Sequence, residues 1–260
     1  MTVVIGSTFA LAGLAIGSFL TVVVERVPAK RSIVLPRSSC PRCGAMIRPR
    51  DNIPVVSWIL LRGRCRDCGA RISPMYPFLE LLTAGLFVGA AFHFHPALIA
   101  VMMALFLALM VAVAAIDARH RVIPNRIVYP AFLIFGAFVI AGALAGIELS
   151  AANAGIGLAL YGGGLLLVAL IVPKGMGMGD VKLAGLIGLV LGSLGLSYVA
   201  VAAGAAVLAG GLGSVAVLVA TGKARGQTIP FGPYLALGAV VAAFAAPQIA
   251  HAYMHLLGRA

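Results

Sequence analysis

Two aspartates stand where a carboxylate is expensive to keep. Asp180 lies in Lys174-Gly175-Met176-Gly177-Met178-Gly179-Asp180-Val181-Lys182, between a glycine-rich loop and a long apolar run. Asp117 closes another apolar run, in Ala115-Ile116-Asp117-Ala118-Arg119-His120-Arg121. An acid beside a membrane-length apolar segment points to function by default. Two carboxylates brought close together cannot both ionise easily and share one proton. One then acts as base on a water while the other, protonated, polarises a peptide carbonyl. Such a pair titrates as a unit, so base and acid stay unassigned between Asp117 and Asp180. Gly175, Gly177 and Gly179 would let an extended substrate backbone run close to Asp180. The plainer roles are helix capping by Asp180 and pairing of Asp117 with Arg119 or Arg121.

The cysteines carry a second chemistry. Cys40-Pro41-Arg42-Cys43 and Cys65-Arg66-Asp67-Cys68 are separated by twenty-one residues, and each pair is followed by glycine (Gly44, Gly69). Two such turns suit one tetrahedral zinc held by four thiolates, Cys40, Cys43, Cys65 and Cys68. Four protein ligands leave no open coordination position, so the metal is expected to be structural. In a reducing cytoplasmic loop, metal binding is favoured over disulfides. His120, three residues after Asp117, is a weaker candidate for the aspartate site. His251 and His255 are spaced i, i+4 on the last apolar segment, away from it. Glu80, inside an apolar run, is expected to face other helices and to meet a basic loop residue.

These residues have to be positioned by membrane helices. Hydrophobic residues make up 62% of the 260, charged residues 10%, and mean hydropathy is +1.10, where ordinary soluble chains carry about 25% charged residues. Apolar windows near the ~20 residues that cross a bilayer recur at about 3–24, 78–94, 96–116, 127–147, 151–172, 181–193, 197–220 and 234–257. The sixth and seventh come from one run, broken at Gly192-Ser193-Leu194-Gly195. No A-x-A-like cleavage site follows the first run, so it is expected to be retained as a span. Of 19 Lys and Arg, eleven fall between the first and second runs, and all but Arg259 lie in alternate loops. The positive-inside bias places residues 25–77, 117–126, 173–182 and 221–233 in the cytoplasm, and both aspartates on that face. The net charge of +12 therefore reflects topology, and no nucleic-acid partner is expected. The fold expected is all-α and polytopic. It has about eight transmembrane helices and a small cytoplasmic zinc-ribbon-like domain between the first two. Its divisions are a first helix over 1–25, a four-cysteine domain over 26–77 and a seven-helix core over 78–260.

Taken together, the motifs resemble the type IV prepilin peptidase family. The resemblance is carried by Gly17-Ser18-Phe19-Leu20, Cys40-Pro41-Arg42-Cys43, Asn52-Ile53-Pro54-Val55-Val56-Ser57-Trp58, Leu61-Arg62-Gly63-Arg64-Cys65 and Ile72-Ser73-Pro74-Met75-Tyr76-Pro77. It continues with Ile116-Asp117, Ile123-Pro124-Asn125, Gly175-Met176-Gly177-Met178-Gly179-Asp180-Val181-Lys182-Leu183 and Ile229-Pro230-Phe231-Gly232-Pro233-Tyr234. It implies a G-x-G-D membrane aspartyl protease of the bacterial inner membrane, with Asp117 and Asp180 catalytic and facing the cytoplasm. The implied substrates are prepilins or pseudopilins, cut after the glycine that ends a short basic leader. The new N-terminal amine is then methylated with S-adenosylmethionine, and the cysteine loop is associated with zinc and with methyl transfer. The donor's ligands cannot be named from the residues, since no G-x-G-x-x-G follows a strand. Two departures are Ala118-Arg119-His120-Arg121, where many relatives carry further acids, and Asn125 in place of a frequent Asp.

The residues alone leave two other readings. A carboxylate-dependent ion or proton-coupled transporter would also keep acids in its spans, but usually at the midplane rather than at one edge. A zinc hydrolase would need an open metal position, which an all-cysteine set does not supply.

Overall fold

Apolar runs bounded by glycine, proline and basic clusters become helices in the computed structural model, which describes residues 2–172, 176–221 and 230–256. Lys174, Gly175, Lys223, Arg225 and Arg259 of the sequence reading lie outside the described residues. In chain order the helices are α1 (Thr2–Arg26), the short α2 (Val56–Leu60), α3 (Met75–His93), α4 (Ala97–His120) and α5 (Asn125–Leu144). A fifth span begins as α6 (Ala151–Gly157), widens into a π turn over Leu158–Gly162 and resumes as α7 (Gly163–Ile171). Then come α8 (Met178–Leu194), α9 (Leu196–Thr221) and α10 (Gly232–Leu256). Among the described residues there is no β-strand, only isolated bridges at Ser39–Met46 and Arg64–Arg71.

The chain divides into two compact units, Met1–Ala112 and Val113–Ala260, with α4 running through the division. In the first, α1 packs along α3. In the second, α8 packs against α5, α6, the π turn, α7, α9 and α10.

Among the described residues seven helices are long and apolar enough to cross a membrane, and the chain is a multi-pass membrane protein. α8 covers the sixth span expected from sequence and is shorter than the other membrane helices. Its 17 residues rise roughly 26 Å at 1.5 Å per residue, against ~30 Å of hydrocarbon. Its residues Leu183 to Ser193 are almost all buried, so protein rather than lipid surrounds it. The break before α9 falls where the glycines predicted it. Gly195 adopts φ +151°, a backbone state open to glycine and not to side-chain-bearing residues.

Contact between α8 and the α6–α7 span is close enough to exclude a β-carbon. One added at Gly188 would meet the backbone of Gly157, its carbonyl carbon at 2.6 Å, and one added at Gly162 would meet Gly185 Cα at 2.8 Å. Small residues permit such approach where helices associate in lipid. In a regular α-helix, Gly157 and Gly162 would point about 140° apart. The wider i→i+5 winding of the π turn brings them onto the one face that meets α8.

Gly188→Ala forces a β-carbon into rigid backbone and is expected to lower stability by about 1–3 kcal/mol, as overpacking does. Gly136→Ala, with open space around it on α5, should leave the midpoint unchanged. Thermal unfolding of the two variants in one detergent checks the contrast.

Candidate active site and metal centre

Asp117 sits one turn from the end of α4 and is 5% exposed. Its Oδ2 accepts a hydrogen bond from the main-chain N–H of Gly232, at 2.9 Å, where α10 begins. This donor answers the question left by the sequence, where Arg119 or Arg121 was the alternative partner. The turn after α4 is closed by Arg121 N–H donating to the Asp117 carbonyl at 2.8 Å, and it delivers Ile123 and Pro124 to the start of α5.

Asp180 is half-buried in the first turn of α8. Its Oδ2 accepts from Gly177 N–H at 3.3 Å, so the capping role foreseen for it is present and satisfies one of the helix's orphan donors. Asp117 and Asp180 come from the same compact unit, at the end of α4 and the start of α8. Ile123 bridges their surroundings: a β-carbon added at Gly179 would lie 3.0 Å from Ile123 Cβ. The open side of Gly179 is thus filled by Ile123, while Gly177 is exposed and Gly175 lies outside the described residues. Next along α8, Lys182 donates to Asn125 Oδ1 at 3.1 Å and lies 5.0 Å from the centroid of the Tyr129 ring. Asn125 therefore ties α5 to the aspartate loop without a charge of its own. His120 is exposed at the end of α4, and His251 and His255 stack edge-on with ring centroids 4.5 Å apart on α10.

The four cysteines form two copies of one turn. Cys40 N–H donates to the Ala45 carbonyl at 2.9 Å and Gly44 N–H to the Cys40 carbonyl at 2.9 Å. In the second copy, Cys65 N–H donates to Ala70 at 2.8 Å and Gly69 N–H to Cys65 at 2.9 Å. Gly44 and Gly69 close the turns at φ +74° and +69°, the left-handed region glycine enters freely. The first cysteine of each pair turns inward and the second is exposed. All four sulfurs lie within 4.8 Å of one another, with Cys40 and Cys68 at 3.8 Å. A tetrahedral ion with metal–sulfur bonds of about 2.3 Å separates its sulfurs by roughly 3.8 Å, so the set fits zinc. Main-chain N–H groups of Cys43 and Arg42 draw the Cys40 thiol down to about 6. Against the pull of the Ala70 N–H, desolvation and the other three sulfurs push Cys68 up to about 11. Cys40 and Cys68 are thus driven apart in acidity, and a bound cation would favour the thiolate form of both. Around the cluster, Arg66 holds Asp51 by a forked pair at 2.9 and 2.6 Å, and Arg48 lies 3.5 Å from Asp67. Asp51 and Asp67 are therefore engaged inside the module.

Residues 11–94 match the bacterial peptidase A24 N-terminal domain, and residues 104–214 match the type IV leader peptidase family. The prepilin leader peptidase/N-methyltransferase of Bacillus subtilis is 36% identical over 88% of this chain and 90% of its own length. The chain belongs to the type IV leader peptidase family. The Pseudomonas aeruginosa relative of the same name is 34% identical over 95% of this chain and 93% of its own, and that of Dichelobacter nodosus 31% over 87% of each. No solved structure gives a significant match.

In this leader peptidase the sequence reading missed two contacts. Glu80, 6% exposed on α3, meets no basic residue as its partner in the loop; its Oε2 accepts from the main-chain N–H of Val55 at 2.7 Å. Val55 holds φ +60°, a conformation that a β-branched residue adopts only when its surroundings enforce it. Gly232 was quoted only as part of a motif, and nothing in its side chain marks it as a donor.

Glu80→Ala removes the acceptor from a part-buried amide and should destabilise by about 1–3 kcal/mol. Glu80→Gln keeps a carbonyl oxygen there and should avoid most of that loss. Comparing the unfolding midpoints of the two variants separates a hydrogen-bonding role from mere bulk.

Proposed function

We propose that Asp117 and Asp180 are the catalytic pair with which this leader peptidase cuts the basic leader from prepilins or pseudopilins. The chain is an enzyme of the prepilin peptidase type, with the N-methyltransferase activity that its relatives' names carry. What supports the aspartate assignment is that the start of α8, which carries Asp180, packs on Ile123 just beyond the end of α4, which carries the buried Asp117. In the proposed step the ionised carboxylate takes a proton from water as the water oxygen bonds to the scissile carbonyl carbon. The protonated carboxyl gives its proton to the carbonyl oxygen, forming a neutral gem-diol. Collapse then breaks the C–N bond, with a proton passing to the leaving nitrogen. Exposed Gly177 is the proposed ledge for the substrate backbone.

The positive-inside pattern supports an inner-membrane enzyme with this site toward the cytoplasm. The proposed divisions are the membrane helix over 1–25, the metal module over 26–77 and the protease core over 78–260. The metal proposed for Cys40, Cys43, Cys65 and Cys68 is zinc, in a structural role. S-adenosylmethionine is the proposed methyl donor for the newly exposed amine, a reading supported by the relatives' names alone. Transport coupled to the carboxylates is not favoured, because the relatives are peptidases.

Asp117→Ala and Asp180→Ala should each lower cleavage of a prepilin in detergent by at least about a thousandfold, the upper range for lost acid–base catalysis. Normal processing by either variant would end the assignment. Cys40→Ser should lose bound zinc, read by elemental analysis, and reduce methylation more than cleavage. Cleavage that stops on chelation while the protein stays folded would point to a metal hydrolase.

A further inference from the structure

The hairpin of α9 and α10 delivers a main-chain group to Asp117, and its residues are arranged for that delivery. The ring of Phe231 covers Gly210, where a β-carbon would lie 2.8 Å from it, and Tyr234 covers Gly213. The two rings also meet each other, with centroids 6.3 Å apart. They fix the first turn of α10 on α9, whose packing pairs the two helices along their length. Pro230 and Pro233 flank the turn and carry no N–H. Of the donors left, Gly232 N–H belongs to the helix's first turn and has no intrahelical acceptor. It goes to Asp117 Oδ2 at 2.9 Å. A β-carbon at position 232 would lie 2.6 Å from that oxygen and 3.0 Å from both Cβ and Cγ of Asp117. The carboxylate thus occupies the volume in which any other residue would keep its side chain.

We propose that Gly232 is a positioning residue for cleavage: its amide anchors Oδ2 of Asp117 and leaves Oδ1 as the oxygen that meets the water and the scissile carbonyl. The proposal rests on Asp117 being catalytic. A carboxylate one turn from a helix end can otherwise swing about χ1 and χ2. A reacting oxygen displaced by an ångström loses most of its effectiveness. Anchoring one oxygen by main chain removes that freedom without placing a second titratable group beside the pair. Because the amide comes from α10, the orientation of Asp117 depends on the seating of Phe231 and Tyr234 on α9.

The test uses the full-length enzyme in detergent and a peptide made of a basic leader followed by an apolar helix. Gly232→Ala should reduce kcat by about 100-fold, with KM and the unfolding midpoint unchanged. Replacing residue 232 by glycolic acid through nonsense suppression exchanges the N–H for an ester oxygen and adds no β-carbon. That variant should lose at least about tenfold in kcat, the worth of one hydrogen bond to a charged group. It also decides the matter if Gly232→Ala fails to fold. Wild-type kcat in the ester variant, or a loss that appears only in KM or in stability, overturns the proposal. Asp117→Ala run in parallel separates the two failures. If it is inactive while the ester variant is normal, only the role of Gly232 falls; if it cleaves normally, the aspartate assignment falls as well.

Discussion

A carboxylate packed among apolar helices gives up part of its hydration and needs donors from the protein in its place. Asp117 finds one in the Gly232 amide and Asp180 finds one in the Gly177 amide. Both are main-chain groups at helix starts, where N–H groups are left without carbonyl partners. Their dipoles favour negative charge there. The helix ends of the second unit therefore serve two purposes, closing their own first turns and holding the acids in place. This also explains why α8 can be short. A helix surrounded by five neighbouring segments need not reach both faces of a bilayer, and its first turn can lie wherever Asp180 is required.

The metal module solves the opposite problem. Between α1 and α3 the chain has few apolar anchors and many like charges, and its order comes from two copies of one cysteine turn. Surface ion pairs such as Arg48–Asp67 contribute little by themselves. The forked Arg66–Asp51 pair does more by joining the second turn to the segment after the first. The Trp58 indole donates to the Ile72 carbonyl at 3.2 Å and Ser57 to the Arg50 carbonyl at 3.0 Å, tying α2 to both sides of the loop. Glu80 completes the arrangement from α3, with a buried acid again answering a main-chain donor.

Much of this was legible in the residues. The spans, the four-cysteine cluster and the glycine break before α9 follow from hydropathy and spacing. What escaped reading were contacts made by the main chain. Gly232 lies 115 residues from Asp117 and offers only an N–H that every residue but proline has. Glu80 suggested a cationic partner because side-chain chemistry is what a sequence displays, whereas its acceptor role is met by Val55. Composition is silent on the surroundings of α8 for a related reason. Lipid-facing and protein-facing helices are equally apolar, so composition cannot tell a helix that crosses from one that is enclosed.

The π turn in the α6–α7 span bears on how this segment tolerates changes in length. Gly157 and Gly162 are five residues apart and reach α8 together because the helix is underwound there, taking in one extra residue of chain. A variant shortened by one residue between them would place the glycines four apart, the spacing at which an unbroken helix aligns them by itself. Register, rather than residue count, is what the neighbouring helix reads, so a shortened span could keep its seat where a single added methyl group would unseat it.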